Sequence, residues 1–253
     1  MNAKQIKSRW KIHQSICALL GFLAGTCFAP AADNPPATVK SATYLAAVTA
    51  ELGQSWPTNH LVNIVCHGHS VVAGYFKTPQ VRTFDAYPAL LHRSLCDRFP
   101  HAVINVIVTA IGGETAEGGA NRFNRDVLSL KPEVVTIDYA LNDRQIGLAR
   151  AEKAWRAMIQ AALAAKTKVI LLTPTPDLRA NLEDPNDPLN QHAEQIRRLA
   201  AENQVGLVDS LAQFKNYARH GGRLADLMAQ VNHPNRKGHE LVVSELLAWF
   251  PKQ

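Results

Sequence analysis

Five short runs of β-branched and aliphatic residues, at 61–65, 103–108, 134–140, 168–172 and 206–208, recur along the chain with longer helical stretches between them. The runs are almost continuously apolar instead of alternating with polar residues. That pattern is what a strand needs when both of its faces are covered, and parallel strands with helices above and below meet that need. The intervening stretches carry the matching helical stripe. Ala151, Ala154, Trp155, Met158, Ile159 and Ala162 fall at the spacing that puts one face against a sheet, as do Val243, Leu246, Leu247 and Phe250. The expected fold is α/β, a three-layer α/β/α sandwich around a five-stranded, mainly parallel sheet. In such sheets ligands sit outside the carboxyl ends of the strands, so the residues that follow each run are the places to look for chemistry.

The opening of the chain does not belong to this pattern. Lys4, Lys7, Arg9 and Lys11 precede an uncharged apolar stretch over 15–29, and small residues follow at Ala29, Pro30 and Ala31. A basic start, a short apolar core and a small-residue exit describe a signal peptide, expected over 1–31. The alternative is a membrane anchor, for which about 15 apolar residues fall short of the roughly 20 that a spanning helix needs. Removal of 1–31 lowers the formal net charge from +6 to +2, because four cations leave and no acid precedes Asp33. The basic balance of the whole chain therefore gives no support to nucleic-acid binding. The mature protein is expected to be secreted or periplasmic, without stable membrane insertion. Residues 32–60 read as an extended lead-in with a short helix at 44–52, and 61–253 as the folded body. Cys17 and Cys27 leave with the leader. In an oxidising compartment Cys66 and Cys96 could pair, although their places in a strand pattern and a helical pattern favour two buried free thiols.

At the strand ends stand Cys66-His67-Gly68-His69-Ser70, then Ile111-Gly112-Gly113-Glu114-Thr115, then Tyr139-Ala140-Leu141-Asn142-Asp143, and before the last helix Asn232-His233-Pro234-Asn235. A hydroxyl, a glycine turn, an amide and an imidazole are the parts that acyl transfer requires. Serine is a weak nucleophile until a base takes its proton, and histidine titrates near neutrality. The oxyanion of a tetrahedral intermediate needs fixed donors, which the amides of Ser70 and Gly113 and the side chain of Asn142 can supply. Glycine at 113 suits an amide that must approach a ligand closely.

The four blocks, Gly68-x-Ser70, Gly113 in a GGET turn, Asn142-Asp143 and His233-Pro234-Asn235, resemble those of the SGNH (GDSL) hydrolase family of serine esterases and lipases. The likeness runs from about 61 to 250 and takes in Leu189-Asn190 to Leu199-Ala200 and Val208-Asp209. It implies a flavodoxin-like sandwich of SGNH hydrolase type and an esterase with Ser70 as nucleophile, His233 as base, and Ser70, Gly113 and Asn142 in the oxyanion hole. No cofactor is implied. Two departures accompany it. The family's aspartate before the serine is here His69, expected to support the nucleophile loop together with Asp143. The family's aspartate three residues before the histidine is here Gln230, expected to orient the His233 ring through its side-chain oxygen, with a backbone carbonyl or Asp226 as alternatives.

Other features carry weaker readings. His67 and His69 lack a nearby third ligand, so no metal is expected, and the glycines at 112, 113, 118 and 119 lack the Lys-Ser or Lys-Thr of a phosphate loop. Asn235 reads as an N-cap of the last helix. Tyr75, Phe76, Phe123 and Tyr139 could line an acyl or sugar pocket or equally pack in the core, and Arg122 and Arg144 could meet an anionic group. The Pro- and Asp-rich stretch 174–188 reads as a loop over the site or, equally, as a plain surface loop. The expected substrate is a small-molecule or glycan ester carrying a short acyl or acetyl group. The rival reading is a weakened SGNH scaffold that binds glycans or esters.

Overall fold

A computed structural model describes residues 41–252, so the expected signal peptide lies outside the described residues. The five apolar runs form β1 (Leu61–Gly68), β2 (Val103–Val108), β3 (Val134–Asp138), β4 (Lys168–Leu172) and β5 (Gly206–Val208). They pair in the order β2-β1-β3-β4-β5, every neighbour parallel. Strand β1 lies beside both β2 and β3, so the order reverses there and opens a crevice at the carboxyl ends of these strands.

Side-chain alternation builds two cores, one on each face of the sheet. Ile64 and Cys66 of β1, Val134 of β3 and Ile170 and Leu172 of β4 join Tyr87, Leu91, Leu95, Val243, Leu246 and Phe250 from the helices Tyr87–Arg98 and Arg236–Leu247 and the chain just beyond the latter. Val65 of β1, Val135 and Ile137 of β3 and Val169 and Leu171 of β4 face the other way. They meet Phe123, Trp155, Ile159, Ile196 and Leu199 from the helices Ala116–Asp126, Leu148–Ala164 and Pro188–Asn203. All six residues of the stripe expected over 151–162 are buried.

Within the lead-in, the helix expected over 44–52 forms at Ala46–Leu52 and buries Val48 and Leu52 in the first core, while 32–40 lie outside the described residues. Capping follows residue chemistry: the Asn235 side chain accepts from the Gly238 amide at 3.2 Å and starts the last helix. Cys66 is buried, but Cys96 is exposed and both thiols are free. One helical position beyond the buried Leu95 turns a side chain by about 100°, which carries Cys96 out to solvent. Burial pushes the Cys66 thiol up to about 12. Among the described residues no helix is long and apolar enough to cross a membrane.

Candidate active site

Strand β1 continues three residues past its aliphatic run because Cys66 and His67 are buried as fully as the valines before them. The chain then turns sharply at His69 into a helix of only four residues, Ser70–Ala73. Gly68 permits the turn. A β-carbon there would stand 2.4 Å from Val72 Cγ2 and 2.5 Å from the Asp138 carbonyl oxygen, closer than atoms can approach. His69 is extended at φ −109°, and its Nδ1 accepts from the Val71 amide at 3.3 Å, capping the helix that opens with Ser70. Gly74, at φ 87°, closes the helix and turns the chain away.

His233 arrives from the other end of the chain. Strands β6 (Met228–Gln230) and β7 (His233–Pro234) form an antiparallel hairpin ahead of the last helix. The hairpin puts His233 Nε2 3.0 Å from Ser70 Oγ, across 163 residues of sequence. That distance suits transfer of the hydroxyl proton to the ring. Burial, and then the nearby His69, lower the His233 pKa, while a hydrogen bond from the ring to the Phe76 backbone carbonyl works the other way.

Gln230 does not touch the ring. Its Oε1 accepts from the Thr78 amide at 2.9 Å, and its Nε2 donates to Thr78 Oγ1 and Asn232 Oδ1, so both ends of the amide are committed to the loop opposite. Asp226 is spent on Arg223 at 2.7 Å. Among the described residues no side chain bonds to His233 Nδ1, which is buried. The backbone alternative is the one with physical support here, through Phe76.

The glycine turn lies beside this pair. Gly113 has φ +77° and its missing β-carbon would point into open space, so the turn presents bare backbone. The Gly113 amide donates to no backbone acceptor among the described residues, and the Ser70 amide, opening its helix, has no partner within it. A β-carbon on Gly112 would meet Tyr75 Oη at 2.9 Å, and the Tyr75 ring lies 5.9 Å from the His233 ring. Tyr75 therefore bridges the turn and the imidazole. Asn142 Nδ2 donates to the Glu114 carbonyl at 3.0 Å, which fixes its amide against the same turn.

Two buried sets of polar groups hold the turn from below, and neither is visible as a local motif. Asp143 accepts from the Ala116 amide and from Trp155 Nε1, both at 2.7 Å. Burial pushes this carboxyl up to about 6 against those two donors. Glu114 takes paired bonds from Arg122 and one from Tyr139 Oη at 2.9 Å, and Tyr139 Oη lies 3.1 Å from His67 Nε2. Burial, with the Arg122 charge adding to it, lowers His67 to about 4. His67 also contacts Thr109 Oγ1 at 2.7 Å, so its two nitrogens serve this scaffold.

Two of the expected pocket aromatics belong to the interior, and other expected side chains are held by partners of their own. Phe123 and Tyr139 are core residues, Phe76 packs beneath Arg82, and Arg122 is neutralised by Glu114 and Asp126. Arg144 is bound to the buried Asp177 at 2.8 Å. A groove of about 490 Å³ beside Asn142 is lined by Gln145, Arg144, Arg179, Asp187 and Asn232. The stretch 174–188 contributes to it, as expected.

Comparison with solved structures shows the same architecture. The acetylxylan esterase Axe2 from Geobacillus stearothermophilus superposes with a TM-score of 0.66 at 22% identity, over 76% of this chain and 95% of that one. LAE5, an alpha/beta hydrolase enzyme from the metagenome of Lake Arreo, Spain, gives 0.63 at 25% identity over 75% and 94%. Catalytic mutants of Axe2 alter a serine, a histidine and an aspartate three residues ahead of the histidine. No curated protein matches the chain. Residues 66–241 match the model of the GDSL-like lipase/acylhydrolase family, a span that holds all four blocks. The chain is thus a carboxylic ester hydrolase and belongs to the GDSL-like lipase/acylhydrolase family.

Proposed function

We propose that the protein is an exported serine esterase that removes short acyl groups, acetyl above all, from carbohydrate through an acyl-Ser70 intermediate. The observation that carries the reading is the 3.0 Å contact of Ser70 Oγ with His233 Nε2. In this scheme His233 takes the hydroxyl proton as Oγ adds to the ester carbonyl. The resulting oxyanion is met by the amides of Ser70 and Gly113 and by the Asn142 amide; each such donor is typically worth 10²–10³ in rate. His233 then returns the proton to the departing alcohol, and water, activated by the same ring, releases the acid. Carbohydrate as the leaving alcohol is supported by the groove beside Asn142, whose Gln145, Arg144, Arg179 and Asn232 offer donors and acceptors to a polyhydroxylated group. The acetylxylan and acetyl-xylooligosaccharide esterases of the same fold point the same way. Export rests on the leader-like opening.

The test is acetate release from acetylated xylooligosaccharides and from p-nitrophenyl acetate, with fluorophosphonate labelling at Ser70. Turnover of both substrates with labelling is expected. Turnover of the nitrophenyl ester alone would remove the carbohydrate assignment, and failure of all three would remove the esterase.

The pH profile follows from the environment of His233. The ring acts as a base only when neutral, and burial together with the nearby His69 lowers its pKa, the Phe76 backbone opposing. It therefore stays neutral below the ordinary histidine value of about 6.5. As pH falls, the decline of kcat/KM is expected to be centred below 6.5. An acid limb centred above 6.5 would contradict this.

A further inference from the structure

The carboxylate that is missing beside His233 has a counterpart on the other side of the nucleophile. His69 Nδ1 lies 3.4 Å from Ser70 Oγ and 3.3 Å from the Val71 amide. His69 Nε2 faces Asp138 Oδ1 at 3.4 Å. Both residues are almost wholly buried, at 1% and 2% exposure, and neither of the facing atoms has a hydrogen-bond partner among the described residues. Register brings them together: Gly68 of β1 pairs with Asp138 of β3, which sets the residue after Gly68 beside the last residue of the next strand.

The Val71 N–H can only donate, so Nδ1 must offer it a lone pair and the ring proton must sit on Nε2. The nitrogen that carries it lies 3.4 Å from the Asp138 carboxylate, within ion-pair distance though outside hydrogen-bond geometry. We infer that His69 and Asp138 are positioning residues for Ser70: Asp138 holds His69 in the tautomer protonated at Nε2, which keeps the Nδ1 lone pair available to the Val71 amide and the Ser70 hydroxyl. This rests on the esterase reading given above.

The consequence is a division of labour between two imidazoles. His233 has no side-chain partner on Nδ1 and only the Phe76 backbone to favour a tautomer, whereas His69 has the Val71 amide on Nδ1 and the Asp138 carboxylate 3.4 Å from Nε2. When His233 is protonated on Nδ1, the hydroxyl donates to its Nε2 and the pair is ready to react. When His233 is protonated on Nε2, the hydroxyl turns its proton to His69 Nδ1, and Oγ stays in place. Without Asp138, His69 could shift its proton to Nδ1, where it would oppose the Val71 N–H and displace the hydroxyl. The other titratable groups around this pair are His233 and Asp143, on which His69 acts, and Cys66 and Tyr87, on which Asp138 acts. The Tyr139 ring packs 6.5 Å from the His69 ring.

Two measurements test this. In protein labelled with ¹⁵N-histidine, two-bond ¹H–¹⁵N correlations near pH 7.5 should show His69 as a single tautomer protonated on Nε2; a proton on Nδ1, or a mixture, would overturn the inference. The second is a cycle of Asp138→Ala and His69→Asn. Asparagine can still accept from Val71 but has no tautomer to hold. Asp138→Ala should lower kcat about tenfold with KM within twofold, a cost in the range expected for a misplaced reacting group. In the His69→Asn background the same change should cost less than twofold. An equal loss in both backgrounds would show that Asp138 acts only through packing. If no ester is turned over at all, the esterase reading fails, and the tautomer measurement still decides the role of Asp138.

Discussion

Replacing Ser70 by alanine is expected to lower kcat on p-nitrophenyl acetate about 10⁴-fold or more, which is at least about 5.5 kcal/mol of barrier. The hydroxyl is the group that would bond to the acyl carbon, and nothing in an alanine can replace it. The substitution removes one oxygen from a residue that is 7% exposed, so the melting temperature should stay within a few degrees and the loss should be chemical. His233→Ala should cost a similar factor, and the double variant little more than either alone, because nucleophile and base act as a unit. An enzyme that kept a tenth of its rate without the Ser70 hydroxyl would show that turnover takes place elsewhere.

The second large effect concerns stability. Trp155 is fully buried against the sheet, and its Nε1 donates to Asp143 at 2.7 Å. Trp155→Ala empties that volume and removes one of the two donors of a buried carboxyl, for a combined cost of about 4 kcal/mol or more. For a domain of this size the melting temperature should fall by about 10 °C. The loss should also depend on pH. Asp143 already titrates in the folded state at about 6, above its ordinary 3.8, so its burial costs nothing when protonated and progressively more as pH rises through that range. Loss of a donor raises the folded pKa further. The variant should therefore be more compromised at pH 8 than at pH 5, and equal losses at the two values would mean that Trp155 contributes packing alone. Trp155→Phe, which keeps most of the volume, should retain much of the stability but not the bond.

The strands and helices were legible because burial on two faces leaves a pattern in the sequence itself. The stripe from Ala151 to Ala162 and the apolar runs could hardly be read another way. The order of Ser70, Gly113, Asn142 and His233 was legible for a different reason: each follows a strand or precedes a helix, where the fold gathers ligands. What could not be read was the pairing of polar groups across long separations. Gln230 has the chemistry to accept from an imidazole, but the loop around Thr78 comes close enough to take both ends of its amide. Arg122 looked like a free cation, and only the fold brings Glu114 and Tyr139 onto its guanidinium. Asp138 did leave a local signal, an acid closing an otherwise apolar strand, yet its partner His69 is identified only by the register of β1 against β3.

The contact between residues 70 and 233 also sets when the molecule can first work. Translation delivers Ser70 and its turn directly after β1, and the His233 hairpin only after all five strands of the sheet. Until that hairpin has left the ribosome and docked, the nascent chain carries a nucleophile with no base in reach. An enzyme wired in this way acquires its activity only once that hairpin has docked.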